Sequence, residues 1–274
     1  MSSSPTSTVT EPRVTAIGSG LVECADLSVR RAGRTAVAGI TLAIGGNECV
    51  SLVGPNGSGK TTLLLALLGL LRPSAGAVRW NGQHVADIAP RERGRYAAYV
   101  PQNLERVPAL RVSDVIAGGR YAHVGPLRAL GADDRAAIDA ALTRCGLTSL
   151  ADRRFDAISG GERQKTLLAA AIAQDPQMLF LDEPNTALDP AYQLELVSIL
   201  RAWHESGCGL LLISHDLQLP SVLGGRVVAL RDGRIAADGP AATILTPATL
   251  AGIYEARFVE VTTPAGQRVI LPEW

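Results

Sequence analysis

Short apolar runs bounded by turn residues recur along this chain, with longer stretches of helical spacing between them. Cys49-Val50-Ser51-Leu52-Val53, Tyr96 to Val100, Gln177 to Leu181 and Gly209 to Ser214 are of the first kind. Unbroken apolarity of that length is expected of strands buried on both faces of a parallel sheet. Leu21 to Val29 alternates instead, which predicts a strand, a Gly33-Arg34 turn and a second strand over Thr41 to Ile44. Gly45-Gly46-Asn47 then turns the chain into Cys49. Ala77 to Trp80 before Asn81-Gly82 reads as a short strand and a tight turn. Two hairpins are predicted late in the chain. One has Arg226 to Leu230 and Arg234 to Asp238 around Arg231-Asp232-Gly233; the other has Val259 to Thr263 and Arg268 to Leu271 around Pro264-Ala265-Gly266.

Helical spacing covers Val112 to Arg120, Asp133 to Arg144, Glu162 to Gln174, Ala191 to Glu205 and Thr246 to Tyr254. In the fourth of these, Leu194, Val197, Leu200 and Arg201 fall in one helical register. Between Gln102 and about Asp156 no strand pattern intervenes, so a helical insertion is expected in an α/β body. Met1 to Ser19 is rich in Ser, Thr and Pro without periodicity, and residues 1–20 are expected to be a disordered tail.

The stretch Gly54-Pro55-Asn56-Gly57-Ser58-Gly59-Lys60-Thr61-Thr62 joins the Cys49 strand to the helical run Leu63 to Leu68. Strand, glycine-rich turn and helix opening on Lys-Thr is the layout of a phosphate-binding loop. Glycines let successive backbone N–H groups point into one concavity, and the helix adds its positive N-terminus. Lys60 then reaches the outer phosphates as a point charge, and the Thr61 hydroxyl takes Mg2+. The motif promises a nucleoside triphosphate without saying what it is for.

Composition narrows the class. The chain has 274 residues, 47% hydrophobic and 19% charged, as in a packed globule. Lys and Arg total 26 and so do Asp and Glu, which argues against a general attraction to nucleic acid. The longest apolar runs are too short to span a bilayer. Cys24, Cys49, Cys145 and Cys208 are scattered and form no CxxC pair, as expected of reduced thiols. The N-terminus lacks the apolar core of a signal peptide.

Two further motifs carry chemistry. Met178 to Pro184 places Asp182 and Glu183 at the end of a buried strand, where open parallel sheets form their ligand crevice. Asp182 is suited to hold the Mg2+ water shell, and Glu183 to polarise an attacking water. Ser159-Gly160-Gly161-Glu162 opens a helix. Ser159 and Glu162 fit a capping box, but capping does not require two glycines, and bare N–H groups at a helix N-terminus can meet a phosphate.

Taken together, GPNGSGKTT, ISGGERQ, MLFLDEP, Ala187-Leu188-Asp189 and Ser214-His215-Asp216 resemble the nucleotide-binding subunit of an ABC transporter from Leu21 to about Leu250. ISGGE stands where that family has LSGGQ. The resemblance implies an α/β P-loop NTPase core with a mainly parallel sheet, an antiparallel β subdomain and a helical insertion. It sets an ATPase domain at 21–258, a helical subdomain at about 103–175 and a C-terminal hairpin extension at 259–274. Gln102 corresponds to the Q-loop glutamine, a Mg2+ and water contact; Asp189 to the D-loop aspartate; His215 to the switch histidine. It also implies two copies arranged head to tail, each ATP lying between the Lys60 loop of one and Ser159-Gly160-Gly161 of the other. Where relatives stack an aromatic on adenine, this chain has Arg31, whose planar guanidinium can also stack.

A single set of motifs, no membrane span and a short segment between Gln102 and Ser159 favour a separate subunit docked on a multispan permease. That places it peripherally on the cytoplasmic face of the membrane, without nucleic acid as partner. Gly119-Arg120-Tyr121-Ala122-His123, Glu162-Arg163-Gln164 and Ala173 to Pro176 are similar to ATPases for iron-siderophore, haem and cobalamin uptake, which implies a substrate-binding protein as an indirect partner. Another transport substrate, or a soluble non-transport ABC ATPase, is the alternative.

Overall fold

In a computed structural model, residues 21–104, 106–125, 128–185, 189–264, 266 and 268–273 are described. The expected tail at 1–20 lies outside them, as do Ala187, Leu188 and Ala265. The chain runs β1 (Val22–Arg31), β2 (Arg34–Ile44), β3 (Cys49–Val53), α1 (Lys60–Leu67), β4 (Ala75–Trp80), β5 (Gln83–His84), α2 (Pro90–Tyr96) and β6 (Ala97–Val100). Then follow α3 (Val112–Gly118), α4 (Tyr121–Val124), α5 (Ala132–Arg144), α6 (Gly160–Ala173), β7 (Met178–Asp182), α7 (Pro190–Glu205), β8 (Gly209–Ile213) and α8 (Gln218–Leu223). The last elements are β9 (Arg226–Arg231), β10 (Arg234–Pro240), α9 (Ala241–Ile244), α10 (Pro247–Tyr254), β11 (Phe258–Thr262) and β12 (Arg268–Pro272).

The unbroken apolar runs become the centre of a six-stranded sheet in the order β10-β9-β3-β8-β7-β6, where every residue of β3, β7 and β8 is buried. β3, β6, β7, β8 and β9 run parallel, and β10 turns back antiparallel through Asp232 and Gly233, both at positive φ. The alternating segment pairs with β2 and β4 in a separate antiparallel sheet, β2-β1-β4-β5. β2 begins at Arg34, well before the predicted Thr41, because its ladder on β1 extends from Val22↔Ile44 to Arg31↔Arg34. Trp80 binds the two sheets together: its ring stacks on Phe180 of β7 at 5.7 Å, and its indole N–H donates to Leu67 O of α1 at 2.8 Å.

Two local expectations change. Tyr96 closes α2, a helix opened by Pro90 at its first position, rather than starting a strand. In α7 the buried positions are Leu196, Ile199, Leu200 and Trp203, whereas Leu194 is 74% exposed. The core-facing stripe follows i, i+3, i+4, i+7 from Leu196, so Leu194 and Arg201 lie beside it.

The helical region has its own apolar cluster, which includes Val112, Ile116, Leu142, Phe155 and Leu168 and continues into the sheet through Leu179 and Leu181. Arg120, nearly buried, ties it together by donating to Asp134 Oδ1 at 2.9 Å and Ala173 O at 2.8 Å. All four cysteines are free thiols; burial pushes Cys24 and Cys145 up to about 12 and Cys49 to about 11. Among the described residues no helix is long and apolar enough to cross a membrane.

Candidate functional site

Parallel pairing brings the carboxyl ends of β3, β6, β7 and β8 to one edge of the sheet. The residues just past those ends are Gly54, Gln102, Glu183 and His215. Sequence positions 54 to 215 therefore meet because of strand order, not proximity in the chain.

Gly54 to Gly59 link β3 to α1 as a curled loop. Gly54 lies at φ 139, and a β-carbon there would sit 2.0 Å from Leu230 O of β9. Gly59 lies at φ 100, and its β-carbon would sit 2.3 Å from Ala36 O of β2. At these two positions a side chain is excluded by backbone. Gly57, at φ 80, has open space instead. Ser58 N–H donates to Pro55 O at 3.2 Å, and Ser58 O accepts from Gly233 N–H at 3.1 Å. Ser58 Oγ is buried with no hydrogen-bond partner among the described residues. Asn56 is exposed and Thr62 is buried.

Lys60 is buried, and its Nζ donates to Gly54 O at 2.8 Å and Pro55 O at 2.9 Å. Burial lowers its pKa, opposed by the nearby Glu183 and Asp182 charges. A cation enclosed by its own loop's carbonyls can exchange those weak partners for an anion. Thr61 Oγ1 donates to Asp182 Oδ1 at 3.3 Å, joining loop to β7. Burial chiefly holds the Asp182 carboxyl above its ordinary range, because it disfavours the charged form, and a nearby cation would offset that cost. Thr61 hydroxyl and Asp182 carboxylate are hard oxygen donors side by side, a chemistry that fits Mg2+ completed by water and phosphate oxygens. The buried, unpartnered Ser58 Oγ and the glycine-lined concavity fit a phosphate.

Glu183 sits at φ 50, a left-handed position, with its N–H on Ile213 O at 3.1 Å. A backbone position of this kind is uncommon outside glycine and clusters at functional sites. One carboxylate oxygen accepts from Gln102 Nε2 at 2.5 Å, and the other contacts His215 Nε2. His215 follows Ser214, whose N–H donates to Leu52 O at 3.3 Å and whose hydroxyl donates to Asp216 O at 2.7 Å. The three predicted catalytic side chains thus form one cluster. Gln102 stands on Glu183 in this arrangement, not on the Thr61–Asp182 pair.

Other predicted residues lie apart. Ser159 caps α6, its hydroxyl accepting from Glu162 N–H at 3.3 Å while the Glu162 carboxylate takes the Ser159 N–H at 2.7 Å. A β-carbon at Gly160 would meet open space. Asp189 is exposed and caps α7 through Tyr192 N–H at 3.0 Å. Arg31 ends β1 opposite Arg34 and is exposed. Sequence reading missed two residues at the site. Tyr99 of β6 hydrogen-bonds Asp182, and burial with that neighbour pushes its phenol up to about 12. Tyr254 of α10 accepts the Gly54 N–H at 2.8 Å. Neither belongs to a motif, so only the fold exposes them.

Residues 37–186 match the family described as ABC transporter. The chain is 34% identical over 232 residues to the iron(3+)-hydroxamate import ATP-binding protein FhuC of Bacillus subtilis, covering 84% of this chain and 86% of that one. It is 33% identical over 240 residues to the ferric enterobactin transport ATP-binding protein FepC of Escherichia coli, covering 87% and 89%. It is 36% identical over 234 residues to the hemin import ATP-binding protein HmuV of Nocardia farcinica, covering 85% and 81%. In fold it is similar to a metal-chelate type ABC transporter solved in an inward-facing conformation, with TM-score 0.81 at 24% identity over 94% of this chain and 98% of that one. A dimeric post-hydrolysis ATP-binding cassette, MJ0796 bound to ADP and Pi, gives TM-score 0.71 at 24% identity over 80% and 98%.

Proposed function

The chain belongs to the ABC transporter family, and from that premise we propose that it is the ATP-binding and hydrolysing subunit of an importer for metal chelates of the iron-siderophore, haem or cobalamin type. The observation that carries the enzymatic part is the convergence of Lys60, Asp182, Glu183, Gln102 and His215 on one sheet edge. The cargo class draws its support from the uptake ATPases the chain is similar to.

ATP is the substrate. Lys60 leaves the Gly54 and Pro55 carbonyls for the β- and γ-phosphates, and the N–H groups of Gly57 to Thr62 line the cradle. Thr61, Asp182 and Gln102 would hold Mg2+. Bound there, Mg2+ neutralises charge on the phosphate oxygens. Glu183 accepts a proton from water as the water oxygen bonds to the γ-phosphorus and the bond to the β–γ bridging oxygen breaks, giving ADP and phosphate. His215 fixes the Glu183 carboxylate from the opposite oxygen. Arg31 lies against the adenine.

Ser159, Gly160, Gly161 and Asp189 stand outside the Lys60 cluster because they serve the ATP of a second copy across a head-to-tail dimer. The open space at Gly160 supports this reading, since a ligand or partner can approach it closely. Closure on ATP and opening after hydrolysis transmit force to a multispan permease, on which the subunit docks peripherally at the cytoplasmic face, with a substrate-binding protein acting upstream. Affinity purification from membranes tests the assignment. Co-purification with a multispan permease is the expected result; recovery with ribosomes or DNA instead would overturn it.

A further inference from the structure

Gly54 is buried and lies one residue past β3, where its N–H has run out of ladder partners. A buried N–H requires an acceptor. It is supplied from two hundred positions away: Gly54 N–H donates to Tyr254 Oη at 2.8 Å. Tyr254 ends α10, and its ring meets Phe258 of β11 edge-on at 5.7 Å, so helix and hairpin both aim the hydroxyl. α10 is itself fixed to the end of β9. Arg231 Nη1 donates to Gly252 O at 2.6 Å, and Arg231 Nη2 pairs with Glu255. The same β9–β10 turn returns to the loop through Gly233 N–H on Ser58 O at 3.1 Å.

The carbonyl side of Gly54 is held differently. Gly54 O accepts from Lys60 Nζ at 2.8 Å, a contact that binding of a phosphate by Lys60 must break. Gly54 is at φ 139 and has no side chain of its own to restrain it. Once Lys60 turns away, the Tyr254 hydroxyl is the remaining polar anchor described for this residue.

We propose that Tyr254 is a positioning residue for the phosphate loop: its hydroxyl fixes the Gly54 amide so that the loop keeps its curl while Lys60 exchanges loop carbonyls for a phosphate. The inference rests on the reading of Gly54 to Thr62 as an ATP site. It makes the C-terminal helix and hairpin, which lie beyond the matched residues 37–186, part of the nucleotide site.

Tyr254→Phe in the full chain removes the acceptor and keeps the ring against Phe258. The Kd for MgATP, measured by titration calorimetry, is expected to rise about tenfold, as when a buried donor loses its partner. Phe258→Leu loosens the same hairpin and keeps the hydroxyl; its Kd is expected to rise by much less than that of Tyr254→Phe. Parental affinity in Tyr254→Phe, or an equal loss in Phe258→Leu, overturns the proposal. The Gly54 amide resonance of 15N-labelled protein is an independent readout. It is expected to move upfield and exchange faster in Tyr254→Phe without nucleotide, and an unmoved resonance overturns the proposal. If the parent binds no MgATP, the ATP reading fails, and the Gly54 resonance still decides whether Tyr254 holds the loop.

Discussion

Gly59→Ala and Gly57→Ala each put a β-carbon on a left-handed residue of the loop, yet only one meets an obstacle. Gly59 is at φ 100 and its β-carbon would lie 2.3 Å from Ala36 O; Gly57 is at φ 80 with nothing within 4 Å. Holding a non-glycine residue in this region costs about 1–2 kcal/mol at either site. At Gly59 the overlap is with a backbone carbonyl of β2, a strand laddered to β1 and pinned to the β9–β10 turn by Ala38 N–H on Gly233 O at 2.8 Å. Such overpacking adds about 1–3 kcal/mol, for a total of about 2–5 kcal/mol at Gly59. At about 2–4 °C per kcal/mol, Gly59→Ala should lower the melting midpoint by about 10 °C and Gly57→Ala by about 4 °C. Scanning calorimetry without nucleotide separates this packing cost from any loss of binding. If the two variants melt at the same temperature, close approach of loop and β2 is not what demands glycine at 59.

Three further outcomes follow from the site. Glu183→Gln should still bind MgATP while turnover falls by about 10²–10⁴, with a closed dimer accumulating on gel filtration. Turnover at the parental rate would remove Glu183 as the base. Asp182 is held above its ordinary range chiefly by burial, so its ionised form destabilises the nucleotide-free fold above that raised value, and the penalty fades as pH falls and the group protonates in both states. Asp182→Asn should therefore melt higher than the parent at about pH 7.5, converge with it near about pH 4, and lose Mg2+-dependent hydrolysis. A lower melting point at the higher pH would refute the burial cost. Arg31→Tyr should strengthen ATP binding several-fold in a competition assay, as a full ring replaces a guanidinium against the base; unchanged affinity would place Arg31 away from adenine.

Gln102, Glu183 and His215 come from three strand ends and meet in one cluster. Both carboxylate oxygens of Glu183 have side-chain contacts, one from Gln102 and one from His215, which together fix the direction of the carboxylate. Glu183 itself sits at φ 50 just past β7, with its N–H on Ile213 O of β8 at 3.1 Å.

Local chemistry made much of this legible. Glycine placement, Lys60-Thr61 and the apolar run of β3 are contiguous, so the loop could be read directly from the chain. The doubly buried strands announced themselves because burial on both faces leaves no polar alternation. The face of α7 was harder: several apolar rows coexist on one helix, and which row faces inward depends on what packs there, so Leu194 proved exposed while Leu196 and Trp203 are buried. α2 was missed because its surface is polar and its only marker is Pro90.

The sequence by itself determined the loop, the carboxylate pair at the end of β7 and the family, since each rests on neighbours a few residues apart. Only the tertiary structure decided which distant groups share a site. Strand order set Gln102 and His215 on the two oxygens of Glu183, and the return of α10 across β9 set Tyr254 on Gly54. The reason is physical. Short-range patterns constrain dihedral angles and burial, but a hydrogen bond across two hundred residues depends on where the whole chain folds back, and nothing in the residues beside Tyr254 records its partner.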